Sequence, residues 1–362
     1  MRGKAILLTG PRQVGKTTLL NWLVNESELD YLHVTADDVH IRRVFHHPAL
    51  SDLKRYLGAH DLIFIDEAQR IADVGLTAKL IVDQFPEKQL ILSGSSAFEL
   101  GQEINEPLTG RKWTYNLWPI SWAEWESHKG SLFTDQDLSS RLIYGLYPDV
   151  LNYMEESDQV LYELVDSYLF KDVLSFGNLR KTDKILKLLQ ALAFQVGNEV
   201  VLREVAAHIG LDVKTVASYL DILEQAFVLF RLPSLSKNLR NEIKTNQKIY
   251  FYDNGVRNAI INDLSPFEMR NDKGAIWENF LMAERFKVLN YGKSRARRFF
   301  WRTKQQQEID YVEEIGGKFF AYEFKWSPRK NVLFSKTFLR SYEAETMVVR
   351  SDNFREFLAR PV

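Results

Sequence analysis

Nine residues near the start of the chain, Gly10, Pro11, Arg12, Gln13, Val14, Gly15, Lys16, Thr17 and Thr18, have the types and spacing that a phosphate chain demands. Glycines on either side of four residues let the backbone turn tightly and aim successive N–H groups at anionic oxygens. Lys16 supplies an ammonium for the β- and γ-phosphates, and Thr17 a hydroxyl suited to Mg²⁺. The chemistry implied is the binding of ATP with Mg²⁺.

A second set of residues fits the same chemistry. The continuous apolar run from Asp61 to Ile65 ends in Asp66 and Glu67. Asp66 is expected to hold Mg²⁺ through water, and Glu67 to orient and activate the water that attacks the γ-phosphate. The strand Gln89–Leu92 leads into Ser93-Gly94-Ser95-Ser96, where a hydroxyl, Ser95 rather than Ser93, is placed to sense the γ-phosphate or the attacking water. Arg111 follows Gly110. An arginine there suits a finger, in cis or on a neighbouring subunit, and equally a structural salt bridge.

A further cluster lies in the last third: Glu278 on an amphipathic helix over 275–288, Asp310 on a strand over 308–312, and Glu323 and Lys325 on a strand over 319–326. Alternation puts Phe320, Tyr322, Phe324 and Trp326 on one face of that last strand and Glu323 and Lys325 on the other. The order of these four residues resembles the restriction-endonuclease-like (PD-(D/E)xK) signature. That resemblance implies Mg²⁺ on Asp310 and Glu323 with Glu278 in support, Lys325 lowering the pKa of an attacking water, and phosphodiester cleavage.

These side chains need elements to carry them. Ala5-Ile6-Leu7-Leu8 reads as a strand before the glycine loop, and Leu19 to Val24 as a helix after it, which is the context a P-loop requires. The strand begins almost at Met1, so a clamp for the adenine base is expected from elsewhere. Tyr31–Val34 is read as a short strand, and Asp37-Asp38 opens a helical stretch through Arg42, Arg43 and Leu53 to Leu57. A helix over 75–85 and a strand over 113–117 follow. The apolar character of 61–65 is that of a strand buried on both faces of a parallel sheet.

From 122 to 176 the pattern is helical and aromatic, without catalytic punctuation. Between 200 and 232, Leu202, Val205, Ile209, Val216, Leu220 and Leu223 sit at core spacings across a turn at 210–212, leaving Lys214, Thr215, Ser218 and Tyr219 outward. This spacing resembles a helix-turn-helix with Lys214 at the start of its recognition helix. A strand over 227–232, a basic loop with Lys237, Arg240, Lys244 and Lys248, and a strand over 249–252 complete a wing. Such a module meets DNA phosphates through its lysines or, as other winged helices do, binds a protein.

Composition narrows the field. The chain has 362 residues, 45% of them hydrophobic, enough for two or three cored domains. Lys and Arg number 47 against 48 Asp and Glu, so whole-chain charge neither demands nor forbids a polyanionic partner. The absence of cysteine removes disulfides, cysteine zinc sites and thiol nucleophiles together. Without a bilayer-length apolar run or a charged-then-apolar leader, the expected location is the cytoplasm.

Taken together, residues 10–18, 65–67, 93–95, Gly110-Arg111 and Trp118-Pro119-Ile120-Ser121 resemble the prokaryotic AAA+ superfamily ATPases with an uncharacterised C-terminal domain. The segments Tyr144–Pro148, Tyr168–Asp172 and Lys248–Gly255 are similar to recurrent segments of that group. The group usually has a segment before the P-loop and a Gly-Gly pair where Gly145-Leu146 stands here.

The expected architecture is a P-loop α/β domain with helices on both faces of a parallel sheet (1–125), a helical lid or connector (126–185), a winged helix (186–262) and a nuclease-like α/β domain (263–362). The expected activity is ATP hydrolysis coupled to DNA binding or processing. The alternatives are a nucleotide switch that binds a protein partner through an inactive nuclease-like domain, and a metal nuclease regulated by ATP. No membrane partner is expected.

Overall fold

A computed structural model describes residues 3–95, 104, 106–166, 182–236, 247–327 and 332–360. The chain divides into two compact units, one from the first 118 residues with Gln225–Phe227, the other from the remainder. No helix among the described residues is long and apolar enough to cross a membrane.

The first unit is built on five parallel strands, β1 (Ala5–Thr9), β2 (Tyr31–Thr35), β3 (Leu62–Asp66), β4 (Gln89–Gly94) and β5 (Lys112–Asn116), in the order β2-β3-β4-β1-β5. Every residue of β3 is buried, as a central parallel strand requires. Alternate side chains serve opposite faces. Leu8, Leu62, Phe64 and Ile91 pack with Leu20 and Val24 of helix α1 (Lys16–Glu26). Leu7, Ile63, Ile65, Leu90 and Leu92 pack with α2 (Val39–Phe45), α3 (Leu50–Leu57) and α4 (Val74–Gln84). At about 1.5–3 kcal/mol for each large apolar side chain fully buried, these layers fix the sheet that carries the loops.

The expected single helical stretch from Asp37 to Leu57 is in fact two helices. Asp38 caps α2 by accepting from the His40 N–H at 2.7 Å. Pro48 then disfavours helical backbone at the preceding residue, and His47 adopts φ 47°.

The second unit opens with α5 (Trp122–Lys129), α6 (Ser131–Tyr144), α7 (Pro148–Asn152) and α8 (Ser157–Leu164). Ser121 and Glu124 form a reciprocal capping box at the start of α5. Next come α9 (Thr182–Phe194), β6 (Glu199–Val200), α10 (Leu202–Ile209), α11 (Val213–Gln225), β7 (Leu229–Pro233) and β8 (Gln247–Phe251), with an antiparallel sheet ordered β6-β8-β7. Tyr219 corrects the outward reading of α11: it is buried with Val216, Leu220 and Leu223. Lys214 is exposed. Lys237, Arg240 and Lys244, like the segment 168–172, lie outside the described residues.

After α12 (Asn254–Ile260) and the long helix α13 (Lys273–Tyr291) come β9 (Arg297–Arg302), β10 (Glu308–Ile315), β11 (Lys318–Phe324), α14 (Lys336–Tyr342), β12 (Glu345–Val349) and α15 (Phe354–Ala359). The sheet order is β12-β11-β10-β9, with β11 and β12 parallel and the other pairs antiparallel. Trp277 of α13 packs its ring against Phe280, Trp326 and Phe354 at the centre of the aromatic core.

The segments Tyr144–Pro148 and Lys248–Gly255 meet each other. Asp253 accepts from the Leu146 N–H at 2.8 Å, and Asn254 donates to the Leu142 carbonyl at 3.0 Å. A Cβ at Gly255 would lie 2.1 Å from the Tyr144 carbonyl oxygen, so the approach of the two segments requires glycine there.

Candidate functional site

All the strands of the first sheet run the same way, so the loops after β1, β3 and β4 gather at one edge. Gly10 leaves β1 so close to the chain after β5 that a Cβ would stand 2.0 Å from the Leu117 carbonyl oxygen. Gly15 has φ 89°, and a Cβ on it would meet nothing within 4 Å, leaving open space above the start of α1. Lys16 is buried, and its ammonium donates to the Gly10 and Pro11 carbonyls at 2.9 and 2.6 Å. The loop therefore curls around the lysine head, with the N-terminus of α1 beneath.

The acids of β3 complete this edge. Thr17 donates its hydroxyl to Asp66 Oδ2 at 2.7 Å, so the two hard oxygen ligands expected for Mg²⁺ already touch. Asp66 Oδ1 accepts from the Ser93 hydroxyl and, at 3.0 Å, from the Glu67 N–H. Glu67 has φ 51°, a left-handed backbone that turns the chain sharply off the strand end. Its Oε2 accepts from Gln69 Nε2 at 2.6 Å and from the Ser95 hydroxyl at 3.5 Å, and Gln69 also donates to Ser95 Oγ at 3.1 Å.

Lys16, Thr17, Asp66, Glu67 and Ser95 thus share one edge, with Ser93 on Asp66 rather than on Glu67. Gln69 and Asn116, whose Oδ1 accepts from the Thr9 hydroxyl at 2.7 Å, are parts of this edge that the sequence reading missed. Their only signal was position, two residues past Glu67 and at the end of β5.

Arg111 stands elsewhere. It precedes β5, and its carbonyl accepts from the Ala5 N–H at the start of β1, at the opposite edge of the sheet. A five-residue strand separates the edges by about 16 Å, beyond the reach of an arginine side chain. The cis finger is thereby corrected: the guanidinium pairs with Asp83 of α4 at 2.7 Å.

The C-terminal residues do converge. Lys325 donates to Asp310 Oδ2 at 3.0 Å and to Glu323 Oε2 at 2.9 Å, and the Phe324 N–H adds a bond to Asp310 Oδ2 at 2.8 Å. Glu278 Oε1 accepts from Tyr250 at 2.6 Å and from Lys248 at 3.1 Å. Lys248 also pairs with Glu308 at 2.7 Å. This overturns its reading as a wing residue facing phosphates: only 1% exposed, it is an internal ammonium of the cluster. Period-two alternation puts Lys248 and Tyr250 on one face of β8, but nothing local reveals that this face is the inner one.

Burial pushes the Glu278 carboxyl up to about 7, against the pull of Lys248, and the Asp310 charge adds to the rise. Burial, then Asp310, likewise raises Glu323 to about 7. Burial alone lowers Lys248, but Glu278, Asp310 and Glu308 outweigh it and leave it above its ordinary value. Four carboxylates therefore share two lysine ammoniums, an arrangement that holds protons readily near neutrality.

Comparison with known proteins assigns the class of the first unit. Residues 2–126 match the AAA domain family, and residues 273–358 match a domain of unknown function, DUF4143. A second domain of unknown function, DUF8612, matches residues 135–266. The chain thus carries an AAA-type P-loop domain, which implies nucleotide binding, followed by a DUF4143 domain.

Among individual relatives, uncharacterized proteins of Mycobacterium tuberculosis and Mycobacterium bovis are each 28% identical over 335 residues, covering 90% of this chain and 70% of theirs. An uncharacterized protein of Haemophilus influenzae is 24% identical over 241 residues, 62% of this chain and 58% of its own.

Proposed function

We propose that this protein binds and hydrolyses ATP with Mg²⁺ and couples its nucleotide state to DNA binding or processing by the C-terminal unit. The observation that carries the ATPase reading is the Thr17–Asp66 contact under the Gly10–Thr18 loop, with Glu67 on the adjoining residue. When bound, Mg²⁺ and ATP supply the transferable phosphoryl group and the neutralisation of its charge. Gly10 to Thr18 wrap the phosphates with backbone N–H groups, and Lys16 exchanges its loop carbonyls for phosphate oxygens. Thr17 and Asp66 hold the ion. Glu67, steadied by Gln69 and Ser95, orients water and takes its proton. Arg111, paired with Asp83, serves either as that structural ion pair or as a finger offered to a neighbouring subunit.

The order α9, β6, α10, α11, β7, β8 supports a winged helix, with exposed Lys214 opening the second helix of the helix-turn-helix. The order α13, β9, β10, β11, α14, β12, carrying Glu278, Asp310, Glu323 and Lys325, supports a nuclease-like fold.

A second reading is favoured by Lys248. With two ammoniums built into the acidic cluster, the nuclease-like part is catalytically silent and the protein is a nucleotide switch for a protein partner.

One experiment separates the readings: ATP turnover and Mg²⁺-dependent DNA cleavage by wild type and Lys16→Ala, with and without DNA. Turnover stimulated by DNA and abolished in Lys16→Ala is the expected result. Turnover indifferent to DNA, without cleavage, selects the switch. Cleavage that survives Lys16→Ala selects a nuclease regulated by ATP, and turnover unaffected by Lys16→Ala overturns the ATPase reading.

A further inference from the structure

Apart from the nucleotide edge, the first unit carries three side chains whose ligand atoms converge. His46 and His47 follow α2, and Asp73 stands immediately before α4. His47 Nε2 lies 2.8 Å and His46 Nε2 3.8 Å from the same carboxylate oxygen, Asp73 Oδ2, and each of the three side chains offers a ligand atom within 4.8 Å of the other two. We propose that His46, His47 and Asp73 form a binding site for a divalent transition-metal ion of the Zn²⁺ class.

The donor set, two imidazoles and a carboxylate, is one that Zn²⁺ takes in open sites, leaving a position for water. Bonds of about 2.0–2.1 Å at tetrahedral angles separate ligand atoms by roughly 3.3 Å, and the two separations from Asp73 Oδ2, 2.8 and 3.8 Å, bracket that value. Small side-chain rotations close the remaining difference.

Asp73 behaves as a ligand rather than a cap. An aspartate at the start of a helix ordinarily accepts from the first-turn N–H groups, yet its side chain makes no capping bond to α4 and turns to the imidazoles instead. His47 and Asp73 both hold left-handed backbone, φ 47° and 53°, which non-glycine residues adopt at a cost.

The spacing is set from below. Thr77 of α4 donates to the Phe45 carbonyl at the end of α2 at 2.8 Å in the buried layer, tying together the two elements that present the ligands. The side chains themselves are about half exposed, so an ion can enter from solvent. A bound ion would fasten the end of α2 to the connection that runs from Glu67 to α4.

The test is calorimetric titration of the nucleotide-free protein with Zn²⁺ alone, paired with Co²⁺ titration followed by visible absorption. Wild type, His47→Ala, His46→Ala, Asp73→Asn and Asp66→Asn are compared after their metal-free thermal midpoints have been matched. The expected result is one Zn²⁺ per chain, with affinity falling at least about tenfold in each of the three ligand variants and unchanged in Asp66→Asn. Tetrahedral Co²⁺ bands should disappear with the ligands. Equal affinity in wild type and ligand variants overturns the proposal, as does binding lost only in Asp66→Asn, which would put the ion at the nucleotide edge.

Discussion

Carboxylates on two sides compensate the burial of the Lys248 ammonium, which lies between Glu278 and Glu308. Asp272 shows the converse arrangement, a carboxylate between the buried guanidiniums of Arg257 and Arg270, at 2.6 and 2.7 Å. Burial alone would raise its carboxyl, but the hydrogen bonds and charges of Arg270 and Arg257 outweigh it and hold it down at about 2. Because the folded value lies below the ordinary 3.8, the stabilisation is complete above that pH and is lost as pH falls toward 2. Asp272→Asn is expected to cost about 2 kcal/mol at pH 7, with the gap to wild type closing between pH 4 and 2. Urea unfolding across that range measures it, and a gap that stays constant to pH 2 would contradict the pairing. At this scale the sequence was informative where chemistry was written into one segment, as in residues 10–18 or Asp66-Glu67. It misled where the deciding partner was distant: Glu278 lies 30 residues from Lys248, and a lysine beside a basic loop reads as solvated.

The elements follow from local patterns more directly than their contacts do. Continuous apolar runs foretell β1, β3 and β4, and polar starts foretell α2, whereas the break between α2 and α3 is announced only by Pro48, which apolar spacing does not register. The segments Tyr144–Pro148 and Lys248–Gly255 were both visible, yet their pairing was not, since no periodicity links positions about a hundred residues apart. That pairing carries its own prediction. Gly255→Ala drives a Cβ into the Tyr144 carbonyl, while Gly274→Ala in the first turn of α13 meets nothing within 4 Å. The first is expected to destabilise by about 1–3 kcal/mol, and the second to be neutral or to stabilise by up to about 1 kcal/mol. Thermal unfolding of the two variants checks the contrast; equal midpoints would mean that α6 and α12 do not meet at that distance.

Across the whole molecule, the parallel sheet was legible as a class, whereas its order β2-β3-β4-β1-β5 was not, because strand order depends on crossovers that leave no mark in residue spacing. What the order achieves is to put β4, with Ser93, between the loop of Lys16 and the acids of β3, so that one edge gathers the residues to which we assign phosphate binding, metal ligation and water activation. Hydrolysis is assigned to that edge, and the most direct test is single-turnover hydrolysis of radiolabelled ATP by wild type and Glu67→Gln, with nucleotide affinity measured on both. If Glu67 activates the attacking water, affinity stays within about threefold while the hydrolysis rate falls by about 10²-fold or more. Equal rates in the two proteins would contradict the assignment of this edge as the site of hydrolysis.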